Sequence, residues 1–98
     1  MTDLTGKYVI VRTYSAGVFV GELVSREGQE CELKNARRIW YWEGAASLSQ
    51  LAQSGTSKPN ECKFPEPVNT VQLLQVIEII SCTKAGEKSI KEVPIWRE

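Results

Sequence analysis

The stretch Lys7–Ser25, KYVIVRTYSAGVFVGELVS, decides the fold of this chain. Its two halves are rich in β-branched and aromatic residues, which suit a pleated and half-buried surface. Between them, Ser15-Ala16-Gly17 predicts a short turn, because glycine adopts a positive φ without strain. The stretch therefore predicts a β-hairpin with strands Lys7–Tyr14 and Val18–Ser25. Gly21, inside the second strand, predicts a bulge or a close approach of another backbone.

Further strands extend this hairpin into an antiparallel sheet. The turn residues Arg26–Gln29 are followed by Glu30–Leu33, whose alternation of charged and apolar residues predicts a third strand. Three consecutive strands joined by tight turns form a meander. Strand character returns in three later segments, Arg37–Trp42, Val68–Leu73 and Leu74–Cys82.

Two short helices are predicted in the second half of the chain. Ser47–Gln53 begins with a serine N-cap, and Lys84–Lys91 follows Thr83, a second N-cap residue. The intervening segment Ser54–Pro67 holds three of the four prolines and predicts either an ordered excursion or a long loop, and loops of this length often bind ligands. We therefore predict an α+β fold. It is one antiparallel, β-rich domain over residues 1–98, a meander of about five to six strands with two short helices.

The composition excludes several classes of function. The 98 residues include twelve Lys plus Arg, twelve Asp plus Glu, and no histidine. Without histidine the chain lacks the usual base for a serine or cysteine nucleophile and the commonest zinc ligand. Neither a phosphate-binding glycine loop nor metal-ligand spacing occurs in the sequence. We therefore expect no enzyme, no metal and no other cofactor. Zero net charge also argues against a protein that coats long nucleic acid.

Cysteine usage and hydropathy bear on the compartment. Cys31, Cys62 and Cys82 are an odd set with no CxxC spacing, which favours reduced thiols packed as small apolar side chains. No apolar run approaches the roughly 20 residues that cross a bilayer. The N-terminal sequence MTDLTGKYVI lacks the pattern of a secretory leader. These features predict a cytoplasmic protein that does not enter a membrane.

The densest group of candidate binding residues is Asn35–Trp42, NARRIWYW. Arginine donates charge-assisted hydrogen bonds to phosphate, and tryptophan offers a flat face for stacking a base. In an extended segment, one face carries Arg38, Trp40 and Trp42, and the other carries Arg37, Ile39 and Tyr41. The face with the apolar isoleucine is expected to be buried, which leaves the first face as the ligand or interface surface. The alternative is a sheet in which the aromatic residues pack under a helix and arginine stems cover them.

Two other regions carry weaker signals. Lys84, Lys88 and Lys91 share one face of the C-terminal helix. That face is either an ordinary solvated surface or a phosphate-facing surface that adds to the arginine pair. In the loop, Asn60 and Phe64 supply an amide and an aromatic ring, a mixture that can read the edge of a nucleobase and stack on it. Loops without any ligand have similar compositions.

Three stretches, KYVIVRTYSAGVFVGEL, LKNARRIWYW and VIEIISCTKAGEKSI, resemble small bacteriophage proteins, specifically the first type of Thoeris anti-defence protein. The resemblance spans about Gly6 to Ile90, and its most specific pieces are NARRIW and the AGV turn. It implies a viral sponge in the host cytoplasm. Such a sponge binds cyclic ADP-ribose isomers, including glyco-cyclic ones, that TIR-domain proteins make. Because it holds these signals without cleaving them, Thoeris immunity is inhibited.

The resemblance also implies how the ligand is held. Family members form pockets between the subunits of a homo-oligomer, a dimer or a larger assembly such as a hexamer. Some members hold cyclic di- or trinucleotides at a second, arginine-lined site. Carried over onto this chain, the arginine site falls on Arg37 or Arg38, and the aromatic residue that stacks adenine is Phe64 or Trp40. Together with the weaker signals, the candidate ligand-binding residues are Arg37, Arg38, Trp40, Asn60, Phe64 and Lys88.

Two rival functions remain open. A small phage protein that inhibits a host enzyme by binding it would use the same residue types, because arginine and tryptophan are enriched at interface hot spots. An enzyme that cleaves the immune signal is the third hypothesis and ranks last, since the chain lacks the usual catalytic groups.

Overall fold

A computed structural model describes all 98 residues, Met1–Glu98. Its elements are β1 (Tyr8–Thr13), β2 (Val18–Glu27), β3 (Glu30–Arg38), α1 (Leu48–Ser54), β4 (Val68–Leu73), β5 (Val76–Ser81) and α2 (Lys84–Lys91). A single 3-10 turn, Pro59–Glu61, lies between α1 and β4. The predicted α+β fold, an antiparallel sheet with two short helices in one domain, is confirmed. Neither helix combines the length and the apolar character that crossing a membrane requires.

The five strands form one antiparallel sheet in the order β4-β3-β2-β1-β5. β4 and β5 are the two edges, yet only Leu74 and Gln75 join them. A connection of that length spans at most about 11 Å, whereas four strand spacings would separate the edges of a flat sheet by about 19 Å. The sheet must therefore curl into an open barrel. The sequence predicts that the last strand begins at Leu74. β5 begins instead at Val76, because Leu74 and Gln75 form the corner between β4 and β5.

A bulge between β2 and β3 contributes to this curvature. Two residues of β3, Asn35 and Ala36, lie opposite the single residue Gly21 of β2. Asn35 adopts φ 50°, a left-handed conformation that asparagine tolerates better than most residues. A Cβ atom at Gly21 would lie 3.0 Å from the carbonyl oxygen of Lys34. The close backbone approach predicted at Gly21 is therefore confirmed, and the bulge increases the local twist.

β1 lies between β2 and β5 and is buried on both faces, although its composition suggests a half-buried strand. Val9 and Val11 face the barrel interior. The other buried members of that cluster are Phe19, Leu23, Cys31, Leu33, Ala36, Leu73 and Val76. Tyr8 and Ile10 face the helices. The second cluster also contains Val20, Ile39, Leu51, Ala52, Cys62, Phe64, Ile90 and Val93. The molecule thus has two cores that share β1 as their wall.

The two helices pack together on the Tyr8 face of the sheet. Each begins at its predicted N-cap: the hydroxyl of Ser47 accepts the Gln50 N–H, and the hydroxyl of Thr83 accepts the Gly86 N–H. The absence of a side chain at Gly86 lets α2 approach α1 closely. A Cβ atom there would lie 2.0 Å from the carbonyl oxygen of Ala52, in α1.

The separate strand predicted at Arg37–Trp42 is wrong. β3 continues beyond its predicted end at Leu33 and ends at Arg38. The two arginines are therefore the last residues of the third strand and not the first residues of a fourth. The residues that follow form no continuous strand: the Ile39 N–H donates to the Val18 carbonyl, and an isolated bridge joins Tyr41 to Lys63. The prediction fails because the bulge at Asn35 interrupts the alternation of side chains within one continuous strand.

Candidate functional site

Arg37, predicted to bind phosphate, lies between the two layers of the fold and is only 6% exposed. All five of its N–H groups donate to backbone carbonyl oxygens, those of Phe64 (2.8 Å), Val93 (3.0 Å), Ile90 (3.1 Å), Pro65 (3.3 Å) and Pro94 (3.3 Å). Burial lowers the pKa of the guanidinium. No donor therefore remains free for a ligand. These hydrogen bonds join β3 to the end of α2 and to the C-terminal segment.

Phe64 and Asn60, the two candidates in the long loop, are not brought together at one surface. The Phe64 ring has no exposed area and lies beneath the Arg37 guanidinium, 5.5 Å from its central carbon. It therefore belongs to the core and cannot stack on a ligand. Asn60 lies in the 3-10 turn and is exposed. The segment is an ordered strap, held to Tyr41 by backbone hydrogen bonds at Lys63.

Arg38 and Trp40 remain at the surface, as predicted. The Arg38 guanidinium lies 4.3 Å from the centre of the Phe19 ring and donates to the Ala16 carbonyl at 2.7 Å. Arg38 therefore covers one end of the barrel interior. Trp40 is 64% exposed. Trp42, which was expected to share this face, is half-buried, and its indole N–H donates to the carbonyl of Ala45 at 3.1 Å.

Trp40 and its neighbour Tyr41 belong to a surface whose other residues the sequence does not group with them. The Lys63 ammonium lies between two rings, 5.7 Å from the centre of Tyr41 and 5.5 Å from that of Trp96. Tyr41 and Ile95 are each 44% exposed. We refer to Trp40, Tyr41, Lys63, Ile95 and Trp96 as the aromatic surface. Three distant segments form it, because Tyr41 bridges to Lys63, and the neighbour of Lys63 bridges to Ile95.

A groove of about 510 Å³ lies between α2 and the start of β1. Its cations are Lys7, which precedes β1, and Lys84 and Lys91 of α2. We refer to it as the lysine groove. The other polar side chains that line it are those of Tyr8, Glu22, Asn35, Ser81, Cys82 and Glu87. Lys88, the candidate residue on the same helix, is exposed but does not line the groove.

The lysine groove and Arg38 lie on opposite faces of the sheet. Arg38 covers Phe19, which faces the barrel interior, whereas the groove runs along Glu22. Phe19 and Glu22 are an odd number of positions apart on β2, so their side chains point to opposite faces. One alternative from the sequence was that the lysine face adds to the arginine pair. The two do not form one phosphate-binding surface.

The charges of the lysine groove are partly paired. Lys91 Nζ lies 2.7 Å from one Glu87 oxygen and Lys84 Nζ lies 4.0 Å from the other. Lys91 also lies over the Tyr8 ring, 5.0 Å from its centre. Lys7 forms no salt bridge within the chain. One ammonium group is therefore free of an acidic partner, and two share a single carboxylate.

The hydroxyl and thiol beside the groove are held in their protonated forms. Burial raises the pKa of Tyr8. Burial, and then the charge of Glu87, raise the pKa of Cys82 to about 12. Near neutral pH both groups can donate hydrogen bonds, and neither is an activated nucleophile. No cluster of three or more His, Cys, Asp or Glu side chains is placed to bind a metal ion.

A larger groove, of about 640 Å³, lies between the N-terminal segment and β5. Leu4, Ile77 and Ile79 contribute apolar surface, and Arg26 is its one cationic side chain, against the carboxylates of Asp3 and Glu78. It lacks the concentration of positive charge that an anionic ligand requires. The lysine groove is therefore the better candidate for such a ligand.

Comparison with known proteins finds a family match. No curated protein matches the chain, and no solved structure matches it. The model of DUF6948, described as a domain of unknown function, matches residues 6–90. The match contains all five strands, α1 and all but the last residue of α2. The chain therefore belongs to the DUF6948 family, a domain of unknown function.

Proposed function

We propose that this protein is a non-catalytic binding protein that sequesters a small phosphate-bearing nucleotide in the lysine groove. The observation that carries the proposal is the convergence of Lys7, Lys84 and Lys91 on one groove of about 510 Å³. Pockets for small ligands have volumes of about 300–1,000 Å³. Ammonium groups form strong, charge-assisted hydrogen bonds with phosphate oxygens. Size and charge thus both favour a nucleotide.

The uncharged groups of the groove support binding without turnover. Asn35 lies at the bulge and contributes an amide to the lining. Tyr8 and Cys82 contribute protonated groups, because burial raises the pKa of each. Such groups can donate hydrogen bonds to an anion, whereas hydrolysis requires a base or a deprotonated nucleophile. The proposed role is therefore to hold the ligand intact.

The resemblance to the first type of Thoeris anti-defence protein supplies the first ligands to test. Cyclic ADP-ribose isomers, including the glyco-cyclic ones, carry a pyrophosphate that suits a set of lysines. Cyclic di- and trinucleotides are the second class. On this proposal the protein is a phage sponge that inhibits Thoeris immunity in the host cytoplasm. Assembly of subunits into a homo-oligomer belongs to the same proposal, because a neighbouring subunit would enclose a ligand that the open groove covers only in part.

Calorimetry with purified protein tests the proposal. Titration with cyclic ADP-ribose isomers should give saturable heat, and heat-denaturing the complex should release a ligand of unchanged mass. Lys7→Ala should weaken binding by about 1.5–3 kcal/mol, the usual contribution of a hydrogen bond to a charged group. Lys88→Ala is the matched control, since it removes the same charge from an exposed position outside the groove. No heat with any isomer or cyclic oligonucleotide would overturn the proposal.

The aromatic surface favours a second candidate function, binding to a host protein. Trp40 is 64% exposed, and Tyr41 and Ile95 are each 44% exposed. Tryptophan and tyrosine are among the residue types enriched at interface hot spots. A stoichiometric complex with a host enzyme that is lost in Trp40→Ala and kept in Lys7→Ala would support this function. The absence of such a complex, together with nucleotide binding that is lost in Lys7→Ala and kept in Trp40→Ala, would support nucleotide binding.

A further inference from the structure

Glu87 lies between the two lysines that α2 contributes to the lysine groove. Its Oε2 atom is 2.7 Å from Lys91 Nζ and its Oε1 atom is 4.0 Å from Lys84 Nζ, so each oxygen faces one ammonium. The side chain of Glu87 is 23% exposed, against 57% for Lys91 and 100% for Lys84. The carboxylate is thus the most enclosed charge of the three. It stands where an anion bound by both lysines would stand.

The charge of Glu87 acts inside the groove as well as at its rim. After burial, Glu87 is the second cause that raises the pKa of Cys82, another residue of the lining. Glu87 therefore opposes any negative charge that enters beside these lysines. Because it is tethered to the helix, it also competes at a high effective concentration, in the millimolar range or above.

We infer that Glu87 is a built-in counter-ion that an incoming ligand must displace from Lys84 and Lys91, and that it makes the groove selective for anions with at least two negative charges. The inference rests on the proposed nucleotide binding. An anion with one negative charge replaces the Glu87 carboxylate by a group of the same charge. It therefore gains no charge–charge attraction, and it must compete with a carboxylate that is tethered to the helix. A pyrophosphate brings two charges and can engage both lysines together with Lys7, which has no partner in the chain.

A simpler role for Glu87 is helix support, since Glu–Lys pairs four residues apart stabilise helices. The two roles differ in what they predict for binding. Support of the helix alone would leave the relative affinity for singly and doubly charged ligands unchanged. A built-in counter-ion sets that ratio.

The test compares cyclic ADP-ribose, with two negative charges, and 3′,5′-cyclic AMP, with one, by calorimetry on the full chain. Wild type should bind cyclic ADP-ribose and discriminate against cyclic AMP. Glu87→Gln should bind cyclic AMP about tenfold more tightly and narrow the ratio of the two affinities, because a single charge–charge interaction near a protein surface is of that order. Glu92→Gln, at the end of the same helix and outside the groove, is the control and should keep the wild-type ratio.

The outcomes separate the two proposals. If wild type binds cyclic ADP-ribose and Glu87→Gln leaves the ratio unchanged, the counter-ion inference is overturned and the proposed function stands. If Glu87→Gln binds both ligands more weakly, Glu87 positions the lysines and the inference is again overturned. If neither protein binds these two ligands, any other cyclic ADP-ribose isomer or a cyclic oligonucleotide, both proposals fall. Circular dichroism shows whether Glu87→Gln keeps the wild-type fold.

Discussion

Arg37 Nη2 donates a 2.8 Å hydrogen bond to the carbonyl oxygen of Phe64, and the same guanidinium lies 5.5 Å from the centre of the Phe64 ring. Two residues whose types suggest ligand binding therefore bind each other. The pair joins β3 to the strap that precedes β4, between the sheet and the helices. No buried side-chain nitrogen or oxygen lacks a hydrogen-bond partner, so the charged group is fully accommodated.

We expect Arg37→Ala to lower the free energy of unfolding by about 3–5 kcal/mol, because it leaves the carbonyl oxygens of Val93, Pro65 and Pro94 without a donor from the protein. Urea denaturation followed by tryptophan fluorescence measures the loss. Arg38→Ala is the control, with an expected loss of about 1 kcal/mol, since Arg38 is exposed and bonds to one carbonyl. Equal losses in the two variants would contradict the structural role of Arg37.

Alanine substitution should lower the stability of the protein much more at Phe64 than at Trp40, the two candidates for stacking adenine. Phe64→Ala empties a fully buried position and should cost about 3–5 kcal/mol of stability. Trp40→Ala removes a side chain that is 64% exposed and should cost less than about 1 kcal/mol. Thermal unfolding of both variants checks this. A stable Phe64→Ala variant that has lost ligand affinity would restore Phe64 as a binding residue.

Gly86→Ala should destabilise the protein, although alanine is ordinarily favoured over glycine inside a helix by about 0.5–1 kcal/mol. The added Cβ atom would lie 2.0 Å from the Ala52 carbonyl oxygen and would push the two helices apart. We expect a loss of about 1–3 kcal/mol in urea denaturation. Lys88→Ala, at an exposed position of the same helix, should stay within about 0.5 kcal/mol of wild type. A gain in stability for Gly86→Ala would show that the helices are further apart.

Stability should fall as the pH rises above about 9. The pKa of Cys82 is raised in the folded state from its ordinary value of 9.0 to about 12, first by burial and then by Glu87. The unfolded thiol therefore ionises first, so the stability it contributes is complete below pH 9 and is lost between pH 9 and 12. Between pH 7 and 10 we expect a loss of about 1 kcal/mol from this group.

Urea denaturation at pH 7 and pH 10 measures this loss, and Cys82→Ala is the control. The variant should lose less stability than wild type over the same interval, because it has no thiol to ionise. Cys31 and Tyr8, whose pKa values burial also raises, add to the loss in both proteins. The same dependence on pH in wild type and variant would contradict the assignment to Cys82.

The local elements could be predicted because their signals are local. Ser47 and Thr83 cap their helices as expected, and the interval Val68–Leu73 is a strand with the predicted bounds. The strand predicted at Arg37–Trp42 could not be corrected from sequence, because the bulge at Asn35 depends on how β3 pairs with β2. One extra residue reverses the facing of every side chain that follows it.

None of the six predicted ligand-binding residues lines the lysine groove. Arg38 and Trp40 were placed correctly at the surface. Lys84 and Lys91 were recognised as one helix face, but Lys88 lies outside the groove that they line. Nothing in the sequence links these lysines to Lys7, since more than 70 residues separate it from α2. Only the pairing of β1 with β5, which leads directly into α2, brings them together.

By itself, the sequence determined the class of the fold, the two helices and their caps. It also determined that no histidine is available at any site. Alternation, capping and composition act within a few residues, so they can be recognised without a structure. Tertiary structure alone decided that the sheet curls, that Arg37 binds carbonyl oxygens in place of a ligand, and that Glu87 lies among the lysines of one groove. Each of these depends on contacts between segments far apart in the chain, where the partner of a charged side chain determines its role.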